Sequence, residues 1–148
     1  MFANAKASEQ VALIATIDPI SQTPITVSTG WIKADKFAEY LAILQTGVLG
    51  ASATVDAKLQ QANTSGGGSA KVVTGKSISQ LVKASNDNNQ VEINLRPQEL
   101  DVSGGFAWFR LSVTVGATPS QISAQVFGMG PRFAPASDSN QAGVVQVI

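Results

Sequence analysis

The hydrophobic and polar positions of this chain alternate far more often than they recur at helical spacing. The clearest run is Phe106 to Gly116, FAWFRLSVTVG, where Ala107, Phe109, Leu111, Val113 and Val115 share one face, and Phe106, Trp108, Arg110, Ser112 and Thr114 share the other. Period-two alternation of this kind predicts a strand with one face in a core. Ala51 to Ala62 alternates in the same way, with Ala53, Val55, Ala57, Leu59 and Gln61 inward and Asp56 and Lys58 placed to pair on the wet face. Further strands are predicted over Val11–Ile17, ended by Asp18-Pro19, and over Ile25–Lys33, where Gly30 suggests a bulge. Others are Lys71–Gly75, Val91–Leu95 before Pro97, and Gln121–Met129, with Ile122, Ala124, Val126 and Gly128 on its inner face.

Two segments need arbitration. Asp35 to Leu49 fits a helix through Phe37, Tyr40, Leu41 and Leu44, and equally fits a strand by alternation. The next segment, joined to it through Gly47 and Gly50, looks like a pairing partner and tips the reading toward strand. Ser77 followed by Gln80 has the spacing of a capping box, and Ile78, Leu81 and Val82 form an apolar stripe, so one short helix is expected over Ser77–Ser85. NTSGGGS at 63–69 and NDNN at 86–89 are turns or loops by composition. The expectation is an all-β chain: a jelly-roll-like antiparallel β-sandwich of about eight strands with one short helix. It forms one domain over 1–148, with a loosely held N-terminal arm (1–10) and a C-terminal tail (134–148).

Composition narrows the chemistry. A chain of 148 residues buries roughly 70% of its unfolded surface, enough for a core without staples. It has no cysteine and no histidine, which removes disulfides, thiolate sites, cysteine nucleophiles and imidazole-based triads. Ten basic residues balance ten acidic ones and only 14% of the chain is charged, so no basic stripe exists for phosphate neutralisation. Nucleic acid is therefore not an expected partner. The apolar run Val11–Ile17 is too short to span a bilayer, and no membrane insertion is expected. Low charge at neutrality leaves a free monomer poorly protected against association and favours a life in contact with other protein.

The candidate sites are weak as chemistry. Ala70 to Ser77, AKVVTGKS, loosely matches a phosphate loop, but Val72 and Val73 favour extended backbone and no βα units surround it. Glu99 and Asp101 are placed in a solvated connection rather than as an acid–base pair, and the Asp87 turn lacks calcium-loop spacing. No catalytic residue, cofactor site or metal site is predicted, and the chain reads as a non-enzyme. Trp31, Phe106, Trp108, Phe127 and Phe133 read as packing first and as a sugar-binding platform second. The terminal VVQVI is different: a strand-like segment with nothing after it must pair with an edge of its own sheet or with another chain. Val144, Val145, Val147 and Ile148, with Phe2 in the N-terminal arm, are the candidate protein-interface residues.

Several stretches resemble small structural proteins encoded near the head genes of tailed bacteriophages and gene transfer agents. They are GVLGASATVDAKL at 47–59 with Gln60-Gln61-Ala62, GKSISQL at 75–81, Asn94-Leu95-Arg96 with Glu99-Leu100-Asp101-Val102, FAWFRLSVTVG, and Arg132-Phe133-Ala134-Pro135. The resemblance covers about two thirds of the chain by texture and transfers no catalytic residue. It implies a jelly-roll subunit on the head surface of a virion or phage-like particle, made in the bacterial cytoplasm. It also implies contact with the major capsid protein or with a spike or fibre protein, and a homo-oligomer such as a ring at a vertex. The alternative is a carbohydrate-binding, lectin-like jelly roll for surface attachment.

Overall fold

The computed structural model describes residues 3–148, so Phe2 lies outside the described residues. The strands are β1 (Val11–Gln22), β2 (Thr26–Ser28), β3 (Ile32–Lys33), β4 (Phe37–Thr46), β5 (Thr54–Ala62), β6 (Lys71–Ser77), β7 (Leu81–Val82), β8 (Gln90–Leu95), β9 (Trp108–Gly116) and β10 (Ser120–Pro131). One four-residue helix, α1 (Ala7–Gln10), precedes them, and 3₁₀ turns occupy Pro97–Glu99 and Ala136–Ser139.

Two antiparallel sheets face each other. The first runs β1-β10-β4-β8, and the second runs β2-β9-β5-β6, with β3 extending the β2 position against β9 and β7 extending the β6 position against β5. Ten segments thus fill eight strand positions. Along the chain these positions alternate between sheets except at β5 and β6, and the first and last strands are neighbours. That strand order is a jelly roll. The inner faces supply the core: Ala12, Tyr40, Ala42, Leu44, Ala124 and Val126 from the first sheet meet Val55, Ala57, Leu59, Phe109, Leu111, Val113 and Val115 from the second. Tyr40 stands edge-on to both Phe37 and Phe109, with centroids 5.9 and 4.7 Å away. Burial holds its phenol above its ordinary pKa.

The run FAWFRLSVTVG is the central strand β9, and its apolar face from Phe109 to Val115 is buried as the alternation requires. The pattern breaks at its start. Ala107 is exposed, whereas Phe106, assigned to the outer face, is buried beneath Lys71, whose Nζ lies 4.2 Å from the ring centroid. Both residues precede the ladder, so strand alternation does not govern them.

Asp35–Leu49 resolves as the strand β4, but with different partners from those expected. It pairs with β10 and β8, while the next segment, β5, crosses to the other sheet. The link is close-packed: a Cβ on Gly50 would strike the Pro119 carbonyl and the Thr118 hydroxyl.

The helix expected over Ser77–Ser85 does not form. Ser77 ends β6 opposite Lys58, the Ile78 amide donates to the Ala57 carbonyl, and Leu81 and Val82 pair with Val55 and Thr54. Extended pairing with the open edge of β5 replaces the helical turn, and the Gln80 side chain donates to Asp56. Among the described residues no ion pair joins Asp56 to Lys58.

Two boundaries also move. β1 continues past Asp18-Pro19 to Gln22 with a register shift between Ile17 and Ile20, because an edge strand tolerates a missing N–H. The predicted strand Ile25–Lys33 splits into β2 and β3 around Thr29–Trp31. There the Thr29 hydroxyl accepts from the Leu111 amide and the Thr29 amide donates to the Leu111 carbonyl.

Candidate protein-interaction surface

Besides its core face, the first sheet carries an apolar patch on its outer face, among Glu39, Glu92, Asn94 and Gln125. On its outer face the ladder aligns Val11 with Met129, then Leu13 with Phe127 and Leu41, while Ile43 sits beside Gln125. Antiparallel partners in register point to the same side, so these six side chains form one patch across three strands. Leu13, Leu41, Ile43, Phe127 and Met129 are half-buried by one another, Val11 is exposed, and all six lie outside the core cluster. A sheet that turns one face to water ordinarily carries polar residues there. The opposite sheet does so with Thr54, Asp56, Lys58, Gln60, Arg110 and Thr114.

Next to the patch, Val11 and Met129 continue into a groove of about 440 Å³ completed by Ala5, Gln10, Gly130, Pro131 and Ala134. Its carboxylates are Glu9, which accepts from the Lys6 amide, and Glu39, 3.9 Å from the Arg96 guanidinium. On the β8 side Glu92 stands opposite Ile43 and makes no ion pair among the described residues. The patch is therefore apolar at its centre, with the Glu39–Arg96 pair and Glu92 on its rim.

The C-terminal segment leaves the sandwich beside the same strand. Ala136 is buried, the Asn140 side chain accepts from the Leu13 amide at 2.9 Å, and the Gln141 amide donates to the Leu13 carbonyl at 2.8 Å. After a turn at Ala142-Gly143, the final residues form no strand. Val145, Val147 and Ile148 are 93%, 53% and 101% exposed, and Val144 is partly covered. Of the two partners open to VVQVI, an edge of its own sheet is not taken at Leu13 of β1, whose amide and carbonyl are satisfied by Asn140 and Gln141. Of the five interface candidates, four lie next to one another along this segment, and Phe2 lies outside the described residues.

Sequence reading missed Leu13, Leu41, Ile43, Phe127 and Met129 as surface residues. The signal was present in β4, where Leu41 and Ile43 are apolar on the face opposite Tyr40, Ala42 and Leu44, and in β10, where Phe127 and Met129 oppose Val126 and Gly128.

The aromatics do not form one platform. Arg110 stacks on Trp31 at 4.5 Å on the second sheet, where Trp108 precedes Arg110 on the same face; Phe106 lies beneath Lys71, Phe127 belongs to the first sheet, and Phe133 projects 86% exposed beyond β10. The carboxylates of the Glu99 connection are tied to bases. Glu99 is held below the ordinary range by the Arg96 amide and then by Lys76, and Asp101 by Lys71 and then by the Gly104 amide. The phosphate-loop look-alike is edge strand β6.

No protein-family model matches the chain, and no curated protein matches it. Among solved structures it is similar to a chain of Broad Bean Stain Virus, at 11% identity over 91% of this chain and 95% of that one, with a TM-score of 0.45. It is similar to a chain of Triatoma Virus at 10% identity over 95% and 74% of the two chains, with a TM-score of 0.45. A structure described as CBM4 is similar at 12% identity over 78% and 66%, with a TM-score of 0.38. These likenesses concern the fold alone.

Proposed function

We propose that the chain is a non-enzymatic structural subunit of a phage or phage-like particle, seated on the head through the outer face of its first sheet. It would contact the major capsid protein or carry a spike or fibre. The observation that carries this reading is the apolar patch on the outer face of the first sheet, with Leu13, Phe127 and Leu41 in one register row outside the core. Contiguous apolar surface of this kind marks a contact with another protein. The nearly neutral, lightly charged composition fits a subunit that works in an assembly.

The test is detection of the chain in purified heads, followed by rebinding of the purified chain to heads that lack it. The native chain is expected to co-sediment with heads, and a Leu41→Gln/Phe127→Gln variant to stay in the supernatant. Absence from heads together with retention on a glycan column would overturn this reading in favour of the carbohydrate-binding alternative.

A further inference from the structure

We propose that the outer face of the second sheet binds a neutral oligosaccharide. Both tryptophans of the chain lie on this face, and both are half-exposed. Trp108 precedes Arg110 by two residues on β9 and so points the same way, while Trp31, in the β2–β3 link, stacks on the Arg110 guanidinium at 4.5 Å. The 63–69 loop holds the second indole in place, since a Cβ on Gly67 would strike it. An indole is a flat apolar body with one polar N–H, which suits the C–H face of a sugar ring.

Polar groups continue the face from the indoles along β9 and β5. Gln60 is paired with Arg110 and accepts from its Nε at 2.9 Å; in the next row Lys58 is paired with Ser112, which is only 2% exposed. Neither Arg110 nor Lys58 makes an ion pair among the described residues. Lys58, Asp56, Ser112 and Thr114 border a recess of about 340 Å³, where Asp56 accepts from Gln80 through one carboxylate oxygen.

This mixture of charges selects the ligand class. An anion drawn to Arg110 and Lys58 meets Asp56 two residues along β5 on the same face, and a cation drawn to Asp56 meets the two bases. A neutral polyol satisfies all three, because its hydroxyls accept from the guanidinium and the ammonium and donate to the carboxylate. From Trp108 to Thr114 the strand advances about 20 Å, room for several sugar rings in a row. The site lies on the opposite side of the sandwich from the apolar patch, so a subunit seated through one face presents the other outward.

Native gels containing dissolved glucan, galactan or mannan test the site on the full chain, with a polygalacturonate gel and a plain gel alongside. The native chain is expected to be retarded in at least one neutral gel, and that polysaccharide in solution should shift the tryptophan emission to the blue. Trp108→Ala and Lys58→Ala should each raise the dissociation constant about tenfold. Lys58 has no ion pair to lose, so its variant reads binding without a cost to folding. Val48→Ala, exposed in the β4–β5 link, should migrate as the native chain does. No retardation in any neutral gel, retardation in polygalacturonate alone, or native-like retardation of the Lys58→Ala chain would overturn the proposal. The gels contain no heads. Failure here with head binding intact therefore removes this site and leaves the head-seating reading standing, while retardation without head binding does the reverse.

Discussion

Phe109 and Phe127 are both strand phenylalanines, yet they serve opposite ends. Phe109 is fully buried against Tyr40, whereas Phe127 lies half-buried among Leu13 and Leu41 on an outer face. Truncating a packed core phenylalanine costs about 3–5 kcal/mol through lost transfer energy and a residual cavity. A half-exposed ring leaves no closed cavity and loses on the order of 1 kcal/mol of burial. Urea unfolding should therefore place Phe109→Ala far below the native chain and Phe127→Ala close to it. Equal losses would mean that Phe127 belongs to the core and would remove the basis for an interaction face.

At the scale of elements, the strands legible in the sequence were those whose two faces differ. β5, β9 and β10 have an unbroken inner row, and the structure buries Val55, Ala57, Leu59, Phe109, Val113, Ile122, Ala124 and Val126 as alternation requires. β4 was ambiguous because it is apolar on both faces, which blurs period two into an apparent helical stripe. The same property makes it part of the candidate surface. The Ser77–Ser85 segment misled because capping chemistry is local, while the open edge of β5 that captured it is twenty residues distant in sequence. Local signals also cannot reveal which sheet a strand joins, so β5 was assigned to the wrong neighbour. Glycine positions carry that missing information. A Cβ on Gly128 of β10 would fall onto the Phe37 ring of β4, and both are buried. Because the ring is packed and cannot swing away, Gly128→Ala should force the two strands apart. Overpacking of this sort costs roughly 1–3 kcal/mol, and a lowered melting temperature is the expected reading, whereas an unchanged one would show that Phe37 has room to move. Gly67 makes a parallel case in the 63–69 loop, where it lies at positive φ (84°) against the Trp31 indole. Gly67→Ala should loosen that loop, shifting Trp31 fluorescence toward the red while the core transition stays cooperative.

For the molecule as a whole, the connections are pinned by charge and the sheets by apolar packing, and pH separates the two. Asp87 is held below the ordinary carboxylate range by Lys83 and then by the Leu49 amide, which ties the 86–89 turn to the β4–β5 link. Glu99 and Asp101 are lowered in the same direction and secure the segment leading into β9. A folded-state pKa depressed below its unfolded value contributes stability that is fully present above the unfolded pKa, about 4, and is lost as pH falls through the folded one. The melting temperature should thus stay level from neutrality down to about pH 5 and decline below about pH 4. Asp87→Asn and Asp101→Asn should each lower it at neutral pH and flatten the acid limb. The same titration changes association. Protonating the ten acidic residues leaves ten basic ones unopposed, so a balanced chain becomes strongly cationic. Repulsion between copies then grows while the patch from Val11 to Ile43 stays apolar. Light scattering across this range should show assemblies dissociating as the pH falls, together with or before the loss of fold. Dissociation that instead required unfolding would place the contact energy in the core strands rather than on an outer face.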